Sequence, residues 1–245
     1  MNKKRFYCEN LASQTARLDA DENHHLISVM RLAAGDEVEL FDGKGQVAEA
    51  VITGFEKKEA VLRIKSIRTC TPGKFSIILA VSLPKNRRFD LLVEKCTELG
   101  ADVIAAVHFE RTVKKGNPDT LDRYRKIAVS ACKQSGRSYL PVLAGLESLT
   151  KTIERFESQH PDALRIYGGL SEHSRSFIEF TERLKNFSGE IIVFIGPEGG
   201  ITESEQKMLE SKGAVEICIN PHTLRVETAA VCFCGLLAAF KDSPA

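Results

Sequence analysis

The chain has 245 residues, enough for one large domain or two modest ones, and its apolar fraction of 43% is that of an ordinary globular protein rather than a disordered one. A formal charge of +1 gives no global attraction to a polyanion, no apolar run approaches the ~18 residues of a membrane span, and the N-terminal MNKKRFYCEN lacks the apolar stretch of a signal peptide, so a cytoplasmic protein is expected. Seven cysteines without paired C-x-x-C spacing read as reduced core thiols, and no structural metal is expected.

Residues 5–70 are predicted to be strand-rich. Short β-prone runs cover 5–8, 37–41, 46–53 and 60–66, the last three separated by the turn-forming segments 42–45 and 54–58, so a small β-barrel is expected. Residues 21–32, DENHHLISVMRL, interrupt the strands as a helix with Asp21 as its N-cap and Leu26, Val29 and Met30 on one face. His24 and His25 project about 100° apart on such a helix and read as solvent-facing or structural rather than as a metal pair. Thr69-Cys70-Thr71-Pro72-Gly73-Lys74 is the clearest boundary, and it divides the chain into domains of residues 1–70 and 74–245.

Beyond that boundary strands and helices alternate. Strands are predicted over 75–81, 103–107, 164–167, 191–195 and 215–219, and helices over 88–99, 121–134, 174–184, 203–211 and after the last strand. The pattern describes an α/β domain with a largely parallel sheet and helices on its faces, and by general topology rules it would be unknotted.

Two stretches in this domain carry candidate chemistry. IIVFIGPEGG, residues 191–200, is a buried strand ending in glycines that let the backbone approach a ligand. It lacks the lysine of a P-loop and the glycine spacing of a dinucleotide fold, which leaves main-chain recognition of a flat polar ring. A plain strand-to-helix turn is the competing account, since Thr202 and Glu205 form a good capping box. The second stretch, residues 217–229, repeats the strand-and-turn arrangement and leads through Leu224, Arg225, Glu227 and Thr228 into an apolar helix. The macrodipole does not explain a cation at that helix start, so Arg225 needs an anionic partner. There is no G-x-S-x-G element or other hydrolase setting. From Ser82 to Leu140 there are 12 Lys and Arg against 7 Asp and Glu, concentrated at Lys85-Asn86-Arg87-Arg88, at Arg111 with Lys114 and Lys115, and at Lys133 to Arg137. These clusters suit phosphate, or they form only a solvated face.

The motifs RFY, HHLISVMRLAAGDEVELFDG, SLPKNRRFDLLVEKCTELGAD, KQSGR, FIGPEGGITESE and LRVETAA, in order from residue 5 to about 235, resemble the ribosomal RNA small-subunit methyltransferase E family of the SPOUT superfamily. The resemblance implies a PUA-like β-barrel that grips RNA, an α/β domain whose last strands form a trefoil knot, and a homodimer with active sites at the knot interface. The implied reaction moves a methyl group from S-adenosylmethionine to N3 of uracil 1498 in 16S rRNA or the assembled small subunit, with no DNA or membrane partner. On this resemblance Ile195, Gly196, Pro197, Glu198, Gly199, Gly200, Ile219, Leu224 and Thr228 bind the cofactor. Arg225, Glu227 and Arg5 are the catalytic candidates, with Arg225 to stabilise a uracil anion and Glu227 a candidate for taking the proton. Arg5, Lys85, Arg87, Arg88, Arg111, Lys114 and Arg137 are expected to contact RNA.

The chain departs from the family pattern in the 220–226 segment. Asn220 stands for a glycine whose left-handed backbone Asn can also adopt, His222 for an arginine, and Val226 for a threonine. A non-catalytic RNA-binding assembly factor and a nucleotide-dependent oxidoreductase are the competing functions, the second weakened by the missing dinucleotide motif.

Overall fold

The computed structural model describes residues 3–57, 59–84, 87–113 and 120–241. The chain folds into two compact units: Met1–Pro72 with Val129–Leu140, and Gly73–Ala128 with Pro141–Ala245. One limit between the units lies between Pro72 and Gly73. The return of Val129–Leu140 to the first unit has no counterpart in the sequence pattern, because those residues continue a helix that begins in the second.

The first unit is a five-stranded sheet of β1 (Lys4–Tyr7), β2 (Thr15–Arg17), β3 (Glu37–Phe41), β4 (Gln46–Glu56) and β5 (Glu59–Thr69), in the order β1-β3-β4-β5-β2. Strand β1 pairs parallel to β3 and the other pairs are antiparallel. Alternate residues Val38, Leu40, Ala48, Ala50, Ile52 and Leu62 point inward onto Phe6, Leu11 and Leu26. Strand β2 has no signature in the sequence, since three residues show no periodicity. The β4–β5 hairpin runs on to a Glu56–Glu59 pair, with Lys57 at φ +48° in the turn; Lys58 lies outside the described residues. Gly54, expected in the turn, sits instead at a register shift between Ile52 and Gly54, where a bulge accommodates the extra residue.

Helix α1 (Ala20–His24) is capped by Asp19, whose Oδ1 accepts the Glu22 amide at 2.8 Å, so the helix starts before the Asp21 cap expected from the sequence. After His24 it widens into a π-helical turn, His25–Val29. The wider turn rotates Val29 and Met30 out to solvent, and only Leu26 of the expected apolar face is buried. The burial of Glu22 is offset by its partners: its carboxylate accepts the Tyr7 amide at 3.0 Å and pairs with Lys133 Nζ at 2.7 Å.

The second unit is built on seven parallel strands: β6 (Phe75–Ser82), β7 (Val103–His108), β8 (Val142–Ser148), β9 (Leu164–Gly168), β10 (Arg175–Ser176), β11 (Gly189–Ile195) and β12 (Val215–Cys218). Their order is β10-β12-β9-β11-β6-β7-β8. The helices are α2 (Arg88–Glu98), α3 (Thr120–Ser135), α4 (Leu149–Gln159), α5 (Phe177–Thr181), α6 (Glu203–Ser211) and α7 (Val226–Lys241). Strand β12 lies between β9 and β10, which are consecutive in sequence, so the chain returns late to insert itself into an earlier connection. A simple doubly wound sheet, built outward strand by strand, does not place a later strand inside an earlier connection in this way.

One sheet face buries Ile78, Ala80, Ala105, Val107, Ile192 and Phe194 against Leu149, Ile153 and Phe156 of α4 and Leu209 of α6. Helix α4 is an addition to the expected elements, although its buried positions 149, 152, 153 and 156 follow helical spacing behind a Ser148 cap. Strand β8 is a second addition, weakly marked because it is an edge strand with Val142 exposed. The helix expected over 174–184 is broken into β10, α5 and a 3-10 turn, Glu182–Leu184. Helices α2 and α7 pack on each other, and α7 covers β6. The end of α7 is tied to the sheet by Lys241, whose Nζ donates to Gly100 O at 3.0 Å and pairs with Asp102 Oδ2 at 2.5 Å. Among the described residues no helix is long and apolar enough to cross a membrane, and all seven cysteines are free thiols.

Candidate active site

Parallel strands present their C-terminal ends along one edge, and the loops that leave β9, β11 and β12 there enclose a cavity of about 410 Å³. The first wall is the 168–171 loop, Gly168-Gly169-Leu170-Ser171; the second is the 196–201 loop; the third is formed by Ile219, Asn220, His222, Thr223 and Leu224. Val226, Ala229 and Phe233 of α7 close the cavity. The volume lies in the ~300–1,000 Å³ range of small-molecule sites.

Close backbone approach is built into two walls. A Cβ at Gly196 would collide with the Ile201 side chain, and one at Gly169 would collide with the Glu216 side chain. Glu216 also fixes the first wall, since its Oε1 accepts the Ser171 amide at 2.9 Å and its Oε2 the Ser171 hydroxyl at 2.5 Å. Behind it the Tyr167 hydroxyl donates to Glu210 at 2.8 Å, and burial together with these two carboxylates pushes the phenol well above its ordinary range. The second wall is held by the expected capping box, with Thr202 N donating to Glu205 Oε2 at 2.9 Å. Aliphatic side chains from Ile195, Ile217, Ile219 and Leu224 and a glycine-rich backbone form a slot suited to a flat heteroaromatic ring.

Of the nine residues expected to bind the cofactor, Ile195, Gly196, Pro197, Glu198, Gly199, Gly200, Ile219 and Leu224 line this cavity. Thr228 does not; it is exposed on the first turn of α7. Arg225 is exposed immediately before that helix, its carbonyl accepting the Ala229 amide at 2.8 Å. Glu227 is 7% exposed. Its Oε1 lies 3.5 Å from Arg88 Nε, and its buried Oε2 has no hydrogen-bond partner among the described residues.

The cations expected on RNA are divided. Arg88 sits between Glu227 and Glu198, its Nη1 3.9 Å from Glu198 Oε1. Arg111 donates from Nη1 to Gly199 O at 2.8 Å. Arg87 is exposed, Arg137 is half-buried, and Lys85 and Lys114 lie outside the described residues. Arg5 belongs to the first unit, where its side chain is 7% exposed. Its guanidinium pairs with Glu39 at 3.2 Å, donates to Ser138 Oγ at 3.0 Å and lies 4.5 Å over the Phe41 ring.

The 168–171 wall is not among the site residues expected from the sequence. The Gly168-Gly169 pair at the end of a strand was the available signal, but only the sheet order brings it beside two loops that follow much later in the chain. In the departing segment, Asn220 takes no left-handed backbone; its Oδ1 instead accepts the His222 amide at 2.8 Å, a side-chain-closed turn. His222 and Val226 both line the cavity.

Residues 71–238 match the RNA methyltransferase domain, and residues 18–65 match the RNA methyltransferase PUA domain. The chain is 29% identical to the ribosomal RNA small subunit methyltransferase E of Mycobacterium bovis, over 97% of this chain and 92% of that protein. It is 28% identical to the Bacillus subtilis protein of the same name, over 88% and 86%. The chain belongs to the ribosomal RNA small subunit methyltransferase E family. Its fold agrees with the family's: the Neisseria gonorrhoeae enzyme, whose crystal structure is of the form bound to S-adenosylmethionine, superimposes with a TM-score of 0.82 at 28% identity over 97% of both chains. Membership in this family removes the oxidoreductase reading.

Proposed function

We propose that this protein transfers a methyl group from S-adenosylmethionine to N3 of uracil 1498 in small-subunit ribosomal RNA, acting in the cytoplasm. The observation that carries the reading is the cavity walled by the three strand-end loops. Its glycine approaches and aliphatic slot fit an adenosine, and a relative covered over 97% of its length is a form bound to S-adenosylmethionine.

When bound, S-adenosylmethionine supplies an already electrophilic methyl group, so the protein's task is alignment of donor and acceptor and removal of the imide proton. Ile195, Ile219 and Leu224 keep water from the adenosine. Arg225, exposed at the start of α7, meets the uracil and stabilises the anion left when N3 loses its proton. Glu227 Oε2, without a partner among the described residues, is the acceptor for that proton. Arg87 and Arg137, with Lys85 and Lys114, contact phosphates. Arg5 anchors Ser138, and with it the neighbouring Arg137, inside the first unit. A second copy covers the apolar side chains Leu91 of α2 and Leu236 of α7, which are exposed in the single chain.

The test uses small subunits, and separately naked 16S rRNA, from a strain lacking this protein. Incubation with labelled S-adenosylmethionine and mapping of the modified nucleotide by mass spectrometry should give one N3-methyluridine. Methyl transfer to a ribose or to a carbon of the base would reject the assignment. Light scattering in solution should give twice the chain mass.

A further inference from the structure

We infer that Arg88 and Arg111 are positioning residues for the methyl-donor cavity, not contacts to RNA phosphate. The inference rests on reading that cavity as the S-adenosylmethionine site. Both arginines leave the C-terminal ends of neighbouring strands, β6 and β7, and both turn onto the 196–200 loop.

Arg88 opens α2, where the helix dipole disfavours a cation. Two carboxylates offset that cost. Glu227, on the first turn of α7, is the buried one, and Glu198, in the glycine loop, is half exposed. One guanidinium therefore ties the cavity wall to the helix that carries the proton acceptor. Without it Glu227 would be a buried carboxylate with no counter-charge among the described residues, which is far costlier than an unpaired surface charge. Arg111 holds the same loop from the other side. Its Nη1 donates to Gly199 O at 2.8 Å, and its stem lies so close to Gly199 that a Cβ there would sit 3.4 Å from Arg111 Cβ. The neighbouring Glu110 adds to the brace: its amide donates to Glu205 Oε1 at 2.7 Å, and its Oε2 accepts the Thr202 hydroxyl at 3.1 Å. The loop that approaches the ligand through glycines thus draws its rigidity from these side chains.

The experiment compares Arg88→Ala, Arg88→Lys and Arg111→Ala in the full chain by two measurements. Calorimetric titration with S-adenosylmethionine needs no methyl acceptor, so its result is independent of which nucleotide is modified. The expected result is about tenfold weaker binding for Arg88→Ala, partial recovery in Arg88→Lys, and several-fold weaker binding for Arg111→Ala. In turnover assays Arg88→Ala should also lower kcat, through the displaced Glu227, while Arg111→Ala should act on KM for the methyl donor. The second measurement is the dependence of small-subunit rRNA binding on salt. Removing a cation that neutralises one phosphate lowers the slope by about one, so the slope should match the wild type in all three variants. A slope reduced by about one, or unchanged donor affinity in Arg88→Ala and Arg111→Ala, would overturn the inference. Should Arg88→Ala fail to fold, Arg88→Gln, which keeps the stem and two donors, carries the same comparison.

Discussion

Replacing Gly196 by alanine isolates the close approach on which the cavity depends. Gly196 has no positive φ, so the added methyl brings no backbone strain, and by restricting the unfolded chain it favours folding by about 0.4–1 kcal/mol. Against this stands its collision with Ile201, which lies 3.2 Å away at Cδ1 and nearer at Cγ1, with the Ile201 amide at 3.5 Å. Overpacking of this kind costs about 1–3 kcal/mol. The net stability loss should therefore be small, between about zero and 2.5 kcal/mol, and visible in urea unfolding. The larger effect falls on the ligand. Ile201 lines the cavity and packs against the sheet core, so the clash is relieved by moving the wall outward into the slot. About tenfold weaker S-adenosylmethionine binding is expected by calorimetry, equivalent to about 1.4 kcal/mol. Gly196→Ala combined with Ile201→Ala removes the colliding atoms and should recover most of that affinity, a non-additivity that only direct contact produces. Wild-type affinity in Gly196→Ala, or no recovery in the double variant, would refute the reasoning.

Arg225→Ala should lower kcat by at least about a hundredfold while leaving calorimetric donor affinity unchanged, because Arg225 does not line the cavity. Glu227→Gln, which keeps the shape but removes the proton acceptor, should lower kcat by about 10²–10⁴ in single-turnover assays; full activity would exclude Glu227 from the proton transfer. In the first unit, burial pushes the Cys132 thiol up to about 11 from 9.0, with Arg137 and Arg5 opposing. A folded-state value raised above the unfolded one stabilises the protein fully below pH ~9, and that stability is lost as the pH rises towards ~11. Urea midpoints across that window should therefore fall more steeply in the wild type than in Cys132→Ala, by roughly 2–3 kcal/mol in total.

The elements marked by a continuous apolar run, or by alternating or helically spaced apolar side chains, were legible along the chain. Strands β3, β6 and β11 and helices α2 and α6 fall within a residue or two of expectation, because β6 and β11 are continuous apolar runs, β3 ends at a glycine turn, α2 buries apolar residues at helical spacing, and α6 begins at its capping box. Strands β2 and β10 have too few residues for a period to show, and edge strand β8 buries too little. The π-helical turn after α1 was hidden for another reason: its residues are compatible with an ordinary helix.

At the site the division is sharper. The composition of the 191–200 stretch, glycines following a buried strand, announced a close backbone approach before any neighbour was known, and the 224–228 segment announced a cation without a local reason. Family resemblance in the motifs extended this to a methyl donor. The positions of Arg88 and Arg111 were not legible, since a basic loop read alone looks the same whether it faces phosphate or a carboxylate from another strand. The Gly199 carbonyl is 88 residues from Arg111 in sequence, and the carboxylates of Glu198 and Glu227 are farther still from Arg88. They meet because β11 sits beside β6, with β7 beyond it. Local sequence determines which backbone shapes and which charges exist. The order of strands in the sheet, set by burial of both faces and by the late insertion of β12, decided which of them meet.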